Sequence, residues 1–121
     1  MREPMSLLIT INTNPTSTPK ESLPDPERLV EGDPKFKTWS QDASRDGEVN
    51  TGVWQATPGV TRSIKGKTFE FCHILEGEIE LTPEDGEPVI YRAGDSFVMK
   101  PGYKGLWRTI KTVKKIFVTV S

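Results

Sequence analysis

The stretch Thr68–Leu81 (TFEFCHILEGEIEL) alternates between two kinds of side chain and constrains the fold more than any other part of the chain. In an extended strand this alternation places Glu70, Cys72 and Ile74 on one face. Gly77 is predicted to close a sharp turn, because glycine adopts positive φ at no steric cost. The stretch is therefore predicted to form a β-hairpin with an acid and a thiol on the same face.

Short β-forming segments separated by turn signals fill the chain from residue 36 onward. The signals include Asp46-Gly47, Pro58-Gly59 and Pro83–Gly86. The segments are 36–39, 51–57, 60–64, 88–91, 96–99, 105–110 and 115–120. This spacing predicts an all-β domain of about eight to ten short strands without an ordinary helix. Closure into a barrel is favoured, because it removes exposed strand edges.

The N-terminal residues are predicted to form an arm that precedes the domain. Residues 1–11 are predicted to form one strand, because Leu7–Ile11 is rich in β-formers, whereas Asn12–Glu21 is polar and holds two prolines, which indicates a loop or linker. The arm is either a loose tail or a segment that lies on a partner subunit. We predict an arm over 1–24 and a domain over 25–121, with one helical turn at Pro26–Val30 because proline suits the first helical position.

Charge and composition exclude several classes of partner. The 121 residues include 16 basic and 17 acidic side chains, giving a net charge of −1, so no nucleic-acid or anionic-membrane partner is expected. No apolar run approaches the roughly 20 residues that span a bilayer. The single cysteine, Cys72, excludes an internal disulfide and suits a reducing compartment. A cytoplasmic protein is predicted.

Two short motifs resemble those of the cupin superfamily. One is a glutamate in a strand followed by a glycine, here Glu70 and Gly77. The other is Gly94-Asp95 opening a strand that ends in a turn at Gly102. The resemblance implies an all-β jelly-roll barrel, the double-stranded β-helix of RmlC-like cupins.

The metal-binding pattern of cupins is incomplete in this sequence. In that pattern two histidines precede the glutamate and a third follows the second motif. Their places are taken by Ser63 and Lys65 (or Ile64 and Gly66) upstream, and by Gly105 downstream. Only Glu70 remains of the four ligands, so no metal site and no cofactor is expected.

A narrower resemblance is to the small single-domain cupins grouped with the (S)-ureidoglycine aminohydrolase cupin domain. It covers about residues 25–120 and is carried by 26–34, 38–39, 52–59, 70–77, 93–107 and 114–118. Lys100 departs from the pattern, since cupins usually have proline there. The resemblance implies a jelly roll and usually a homodimer. It does not imply the aminohydrolase reaction, which belongs to a larger, two-domain manganese enzyme.

Glu70 is the candidate catalytic residue. Burial inside a barrel would raise its pKa and make it a usable general acid or base. It could equally be a structural carboxylate that pairs with a nearby lysine, arginine or tryptophan N–H, because a buried charge must be paired.

Five further residues are candidate ligand-binding residues: Trp54, Arg62, Cys72, Lys100 and Trp107. The aromatic rings could line a pocket mouth or fill the core. Either cation could bind a carboxylate, remain solvated or pair with Glu70. A thiol beside a carboxylate is disfavoured as a thiolate, so a small buried hydrophobic residue is the alternative at Cys72.

Two other features are predicted to be structural. His73, the only histidine, falls on the opposite face from Glu70, and one histidine with one cysteine cannot build an ordinary zinc site. Lys111, Lys114 and Lys115 are predicted to form a solvated sheet edge.

Three functions follow from these residues. The first is an enzyme acting on a small polar metabolite through Glu70 in the barrel pocket. The second is a non-catalytic cupin that binds or senses a small molecule without a metal site. The third is a structural dimer with a vestigial pocket.

Overall fold

Nine β-strands and no helix make up residues 6–121, which are the residues that the computed structural model describes. The strands are β1 (Lys20–Ser22), β2 (Leu29–Gly32), β3 (Phe36–Ser44), β4 (Val49–Ala56), β5 (Gly59–Ile64), β6 (Phe69–Pro83), β7 (Val89–Arg92), β8 (Ser96–Met99) and β9 (Lys104–Val120). The predicted all-β class is confirmed. Residues 6–121 contain no helix long and apolar enough to cross a membrane.

Strand β9 organises the sheet, because it pairs along both of its edges. One edge pairs with β6, and the other pairs first with β5 and then with β4. Beyond these, the order runs β1-β3-β4-β9-β5-β2, while β7 and β8 pair with the free edge of β6. Every pairing is antiparallel, and the sheet curls so that its inner face encloses the core.

The inner face of β6 carries the predicted alternation. Glu70, Cys72 and Ile74 are all buried, and the residues between them are only partly buried. Cys72 and Ile74 pack into a hydrophobic core whose other buried members are Ala56, Ile79, Leu81, Phe97, Met99, Trp107 and Val113. The face assignment made from the sequence is therefore confirmed.

The predicted hairpin turn at Glu76-Gly77 is wrong, because β6 continues through this point for 15 residues. Gly77 has φ +92° and lies where the register between β6 and β9 shifts, so it forms an irregularity within a strand. A Cβ atom there would lie 2.2 Å from the carbonyl oxygen of Thr112. The long partner strand β9 keeps both halves of β6 paired across the bulge.

The same long-range pairing merges two segments predicted to be separate strands. Residues 105–110 and 115–120 both belong to β9, which spans 17 residues. The intervening residues stay extended because β6 runs alongside them as far as Lys111 and again from Lys114.

The predicted strand over 1–11 is wrong for residues 6–11, and residues 1–5 lie outside the described part of the chain. No described residue before Lys20 is in a strand, and the side chains of Leu7 and Leu8 are exposed. The residues that follow this segment are the ones held to the domain: the Asn12 N–H donates to Gln41 Oε1 at 2.7 Å, and Trp39 Nε1 donates to the Ser17 carbonyl at 2.9 Å.

The region around residues 20–30 also differs from the expectation. Lys20–Ser22, inside the predicted arm, pairs with β3 as strand β1, and the domain boundary at residue 25 stays a prediction. The predicted helical turn at Pro26–Val30 is a shorter turn over 26–28. The Asp25 carbonyl accepts the N–H groups of Arg28 and Leu29, and Leu29 then begins β2 because it pairs with Thr61 of β5.

Candidate ligand-binding site

A cavity of about 380 Å³ opens on the inner face of the curled sheet. Its most buried part is an ionic cluster formed by Lys65, Glu70 and Lys115. Aromatic rings and hydroxyl groups line its walls: Phe36, Trp54, Trp107 and Phe117, and Thr38, Thr61, Ser63 and Thr119. Two exposed side chains, Arg28 and Arg62, stand at its edge and are called the rim arginines below.

Both carboxylate oxygens of Glu70 have cationic partners. Lys115 Nζ donates to Oε2 at 2.7 Å, and Lys65 Nζ donates to Oε1 in a second ion pair. The Cys72 thiol adds a third hydrogen bond, from Sγ to Oε2 at 3.2 Å. The carboxylate is thus neutralised from both sides within the protein.

These partners decide the protonation state of Glu70. Burial alone would raise the pKa, but the ammonium groups of Lys115 and Lys65 outweigh it and lower the pKa of Glu70 from 4.5 to about 2. The direction is opposite to that expected for an unpaired acid in an apolar barrel. Glu70 is therefore ionised at every pH near neutrality.

Lys115 is enclosed by two tryptophan rings. Its Nζ lies 4.5 Å from the ring centroids of both Trp54 and Trp107, at a distance typical of cation–π contacts. The two rings meet edge to face, with centroids 5.5 Å apart. Burial would lower the pKa of Lys115, but Cys72 and the Glu70 carboxylate reverse this effect, so the pKa is raised and the ammonium stays charged.

The prediction that Lys115 belongs to a solvated edge is wrong, since this side chain is buried. Along β9, Val113, Lys115 and Phe117 alternate inward. The two-residue period between apolar neighbours was the signal in the sequence that could have identified it. Lys111, by contrast, is exposed as predicted.

Cys72 lies behind Glu70 and has no exposed surface. Burial, opposed by the Lys115 ammonium and reinforced by the Glu70 carboxylate, raises the pKa of Cys72 to about 12. The thiol is therefore neutral, and it donates to the carboxylate rather than facing the cavity.

The structure brings together four of the six candidate residues. Glu70, Trp54, Arg62 and Trp107 line the cavity, whereas Cys72 is buried behind it. Lys100 is exposed just after β8, does not line the cavity and is not the partner of Glu70. 

Three cavity residues were missed or misread in the sequence: Arg28, Lys65 and Lys115. In one of the two alignments with the cupin pattern, Lys65 takes the place of a histidine, which is a signal that could have identified it. His73 lies on the face opposite Glu70, as predicted, and its Nδ1 is hydrogen-bonded to Ser96 Oγ at 2.7 Å.

The donor set does not fit the metal ion that many cupins hold. Among residues 6–121 no three His, Cys, Asp or Glu side chains come together in a way that could hold a metal ion. Glu70, the one remaining ligand of the cupin pattern, already accepts from two ammonium groups, and a metal ion beside them would be repelled. The residues predicted at the other positions of the pattern, Ser63 or Ile64 upstream and Gly105 downstream, supply no ligand of the usual kind.

Comparison with solved structures places the fold among known relatives. A DUF861-family protein of unknown function from Pseudomonas syringae pv. tomato is similar with a TM-score of 0.80 and 24% identity, over 91% of this chain and 46% of that one. A DUF861-family protein from Thermotoga maritima is 29% identical with a TM-score of 0.51, over 54% of this chain and 73% of that one. The EutQ protein of Clostridium difficile is 15% identical with a TM-score of 0.62, over 72% and 63%.

This chain spans about half the length of the Pseudomonas protein. Among curated proteins no significant match was found. A model of the EutQ-like cupin domain, however, matches residues 43–117, which is more than half of the chain. The jelly-roll prediction is confirmed, and the chain belongs to the EutQ-like cupin domain family.

Proposed function

We propose that the cavity binds a small organic anion, and that the protein is a non-catalytic binding or sensing cupin. The observation that supports this proposal is the balance of charge in the cavity lining. Four cationic side chains, Arg28, Arg62, Lys65 and Lys115, face only two carboxylates, Asp25 and Glu70. A cleft lined mainly by one sign of charge concentrates ligands of the opposite sign.

Lys65 is the cation that a ligand can reach most directly in the ionic cluster. Its side chain is 18% exposed, compared with 7% for Lys115. An ammonium group has three donors, and among residues 6–121 the Lys65 ammonium donates only to Glu70. A bound carboxylate would therefore accept from Lys65, while the aromatic and hydroxyl walls would contact the rest of a small organic molecule.

The alternative of an enzyme that uses Glu70 has less support. A carboxylate with a pKa of about 2 is a very weak base, and it carries no proton to donate near neutral pH. The other buried groups are no better suited, because the Cys72 thiol stays protonated and Lys115 stays charged. The kinship with the (S)-ureidoglycine aminohydrolase cupin domain stays a prediction, and the donor set gives no support to its manganese chemistry.

A pair of matched probes tests the proposal. Benzoate and its neutral amide, benzamide, have nearly the same shape, so calorimetric titration of each into the protein isolates the effect of the negative charge. We expect benzoate to bind and benzamide to bind at least about tenfold more weakly, the difference that one charged hydrogen bond makes. Equal affinities, or no binding of either, would contradict the proposal.

The contact with Lys65 is tested by a matched pair of variants. Lys65→Gln removes the ammonium group from the cavity, whereas Lys67→Gln removes one from an exposed position outside it. Benzoate affinity should fall in the first variant and stay unchanged in the second. Urea unfolding of both variants confirms that they are folded before titration.

A homodimer and a cytoplasmic location also stay predictions. The mass in solution at micromolar concentration, measured by light scattering, checks the first.

A further inference from the structure

The rim arginines are fixed on neighbouring segments at the edge of the cavity. The Arg62 N–H donates to the Arg28 carbonyl at 2.8 Å, which joins the two backbones. Arg62 Nη1 donates to the Glu27 carbonyl at 3.2 Å, and Arg28 Nη1 approaches the Ile64 carbonyl at 3.4 Å. Each guanidinium thus reaches across to the segment that carries the other.

Neither guanidinium is neutralised by the part of the chain that the structure describes. No carboxylate of residues 6–121 lies within 4.0 Å of Arg28 or Arg62. Two other arginines, Arg92 and Arg108, do form ion pairs with glutamates. The carboxylate of Asp25 is nearby on the lining, but its Oδ1 accepts the Glu27 N–H at 3.1 Å. With five donors each, the rim arginines keep most of their hydrogen-bonding capacity.

The wall between the rim and the ionic cluster is polar. Along β5 and the turn after it, Thr61, Ser63 and Lys65 face the cavity in alternation. Thr61 pairs with Leu29, beside Arg28, and Lys65 reaches Glu70. Four residues of strand separate these ends, about 13 Å of backbone, a span that the long side chains of Lys65 and the rim arginines shorten.

We infer that the ligand is a small dicarboxylate, with one carboxylate on Lys65 and the second on the rim arginines. This inference rests on the proposed function, because it assigns the ligand class of the same cavity. Two cationic groups at opposite ends of one cavity match two anionic groups on one molecule, and arginine binds carboxylates bidentately. The hydroxyl groups of Thr61 and Ser63 would contact the middle of the ligand.

Two series of carboxylates of equal chain length test the inference. Succinate, glutarate and adipate are titrated into the full chain by calorimetry, and butyrate, valerate and hexanoate serve as the matched monocarboxylates. We expect at least one dicarboxylate to bind about tenfold more tightly than its monocarboxylate, as one more charged contact provides. The gain should be lost in Arg28→Gln and Arg62→Gln, because either substitution should lower the affinity for dicarboxylates by a larger factor than the affinity for monocarboxylates.

Arg45→Gln is the control variant, since Arg45 lies in the turn between β3 and β4 and does not line the cavity. The preference for dicarboxylates should persist in it. Equal affinity for both series in the unmodified protein would overturn the dicarboxylate inference and leave the anion-binding proposal standing. A preference that survives in both rim variants would overturn the role of the rim arginines. The absence of binding by every carboxylate would overturn the proposed function itself.

Discussion

Lys115 Nζ lies 2.7 Å from Glu70 Oε2, although the two residues are 45 positions apart in the sequence. Strands β6 and β9 bring them together, and both side chains point to the buried face of the sheet. The ion pair is out of water, so neither charge can be solvated if the other is removed. Removing either charge therefore leaves the other buried without this partner, which lowers the free energy of unfolding.

We expect Glu70→Gln to destabilise the fold. The substitution keeps the shape of the side chain but leaves the Lys115 ammonium without its carboxylate, and removing one member of a buried pair costs about 3 kcal/mol. Urea unfolding gives the change in the free energy of unfolding. Glu76→Gln is the matched control, because its side chain is 63% exposed and pairs with Lys114 at 3.5 Å; it should change stability by no more than about 0.5 kcal/mol. Equal stability of Glu70→Gln and the unmodified protein would show that the pair is dispensable.

Acid should remove this stabilisation. The pKa of Glu70 falls from 4.5 to about 2 on folding, so its contribution is complete above pH 4.5 and is lost as the pH falls through about 2. The shift corresponds to about 3 kcal/mol. Because other carboxylates also titrate there, the quantity to measure is the difference in unfolding free energy between the unmodified protein and Glu70→Gln. It should shrink steadily below about pH 4.5, and parallel curves would contradict the lowered pKa.

The two charges should show strong coupling in a double-mutant cycle. Lys115→Met alone should cost about 3 kcal/mol, the lower end of the range for breaking a buried pair, because Glu70 keeps Lys65 as a cationic partner. Combined with Glu70→Gln it removes both charges, so the double variant should lose about 1–3 kcal/mol less than the sum of the single losses.

The control cycle for this coupling replaces an exposed lysine of the same strand. Lys111→Met does not touch the ionic cluster, so its effect should add to that of Glu70→Gln within about 0.5 kcal/mol. Additivity in both cycles would mean that Lys115 and Glu70 do not act as a pair.

Local sequence pattern was sufficient to predict the faces of the strands. The alternation of Glu70, Cys72 and Ile74 requires only that the backbone be extended, and the structure confirms it. The same rule applied to Val113, Lys115 and Phe117 would have placed Lys115 inside. In the sequence Lys115 lies beside other lysines, a pattern typical of a solvated edge. Its burial is tolerated only because the Glu70 carboxylate, 45 residues away in the sequence, pairs with it.

Long-range pairing was the part that the sequence did not reveal. A glycine permits a sharp local turn, yet at Gly77 the partner strand β9 holds β6 extended. The opposite failure occurred at Leu7–Ile11, whose β-forming residues pair with no strand of residues 6–121. The partners of Glu70 could be predicted by type, but Lys65 and Lys115 could be identified only from the fold.

Gly77→Ala should be more destabilising than the same substitution at Gly94. Both glycines have positive φ, +92° and +95°, so an alanine at either position carries backbone strain of about 1–3 kcal/mol. At Gly94 no atom lies within 4 Å of the added methyl group, whereas at Gly77 the Thr112 carbonyl oxygen would be only 2.2 Å away. Strands β6 and β9 must then separate at the bulge. Urea unfolding of the two variants measures the difference, and equal losses would mean that the close approach of the strands at Gly77 relaxes without cost.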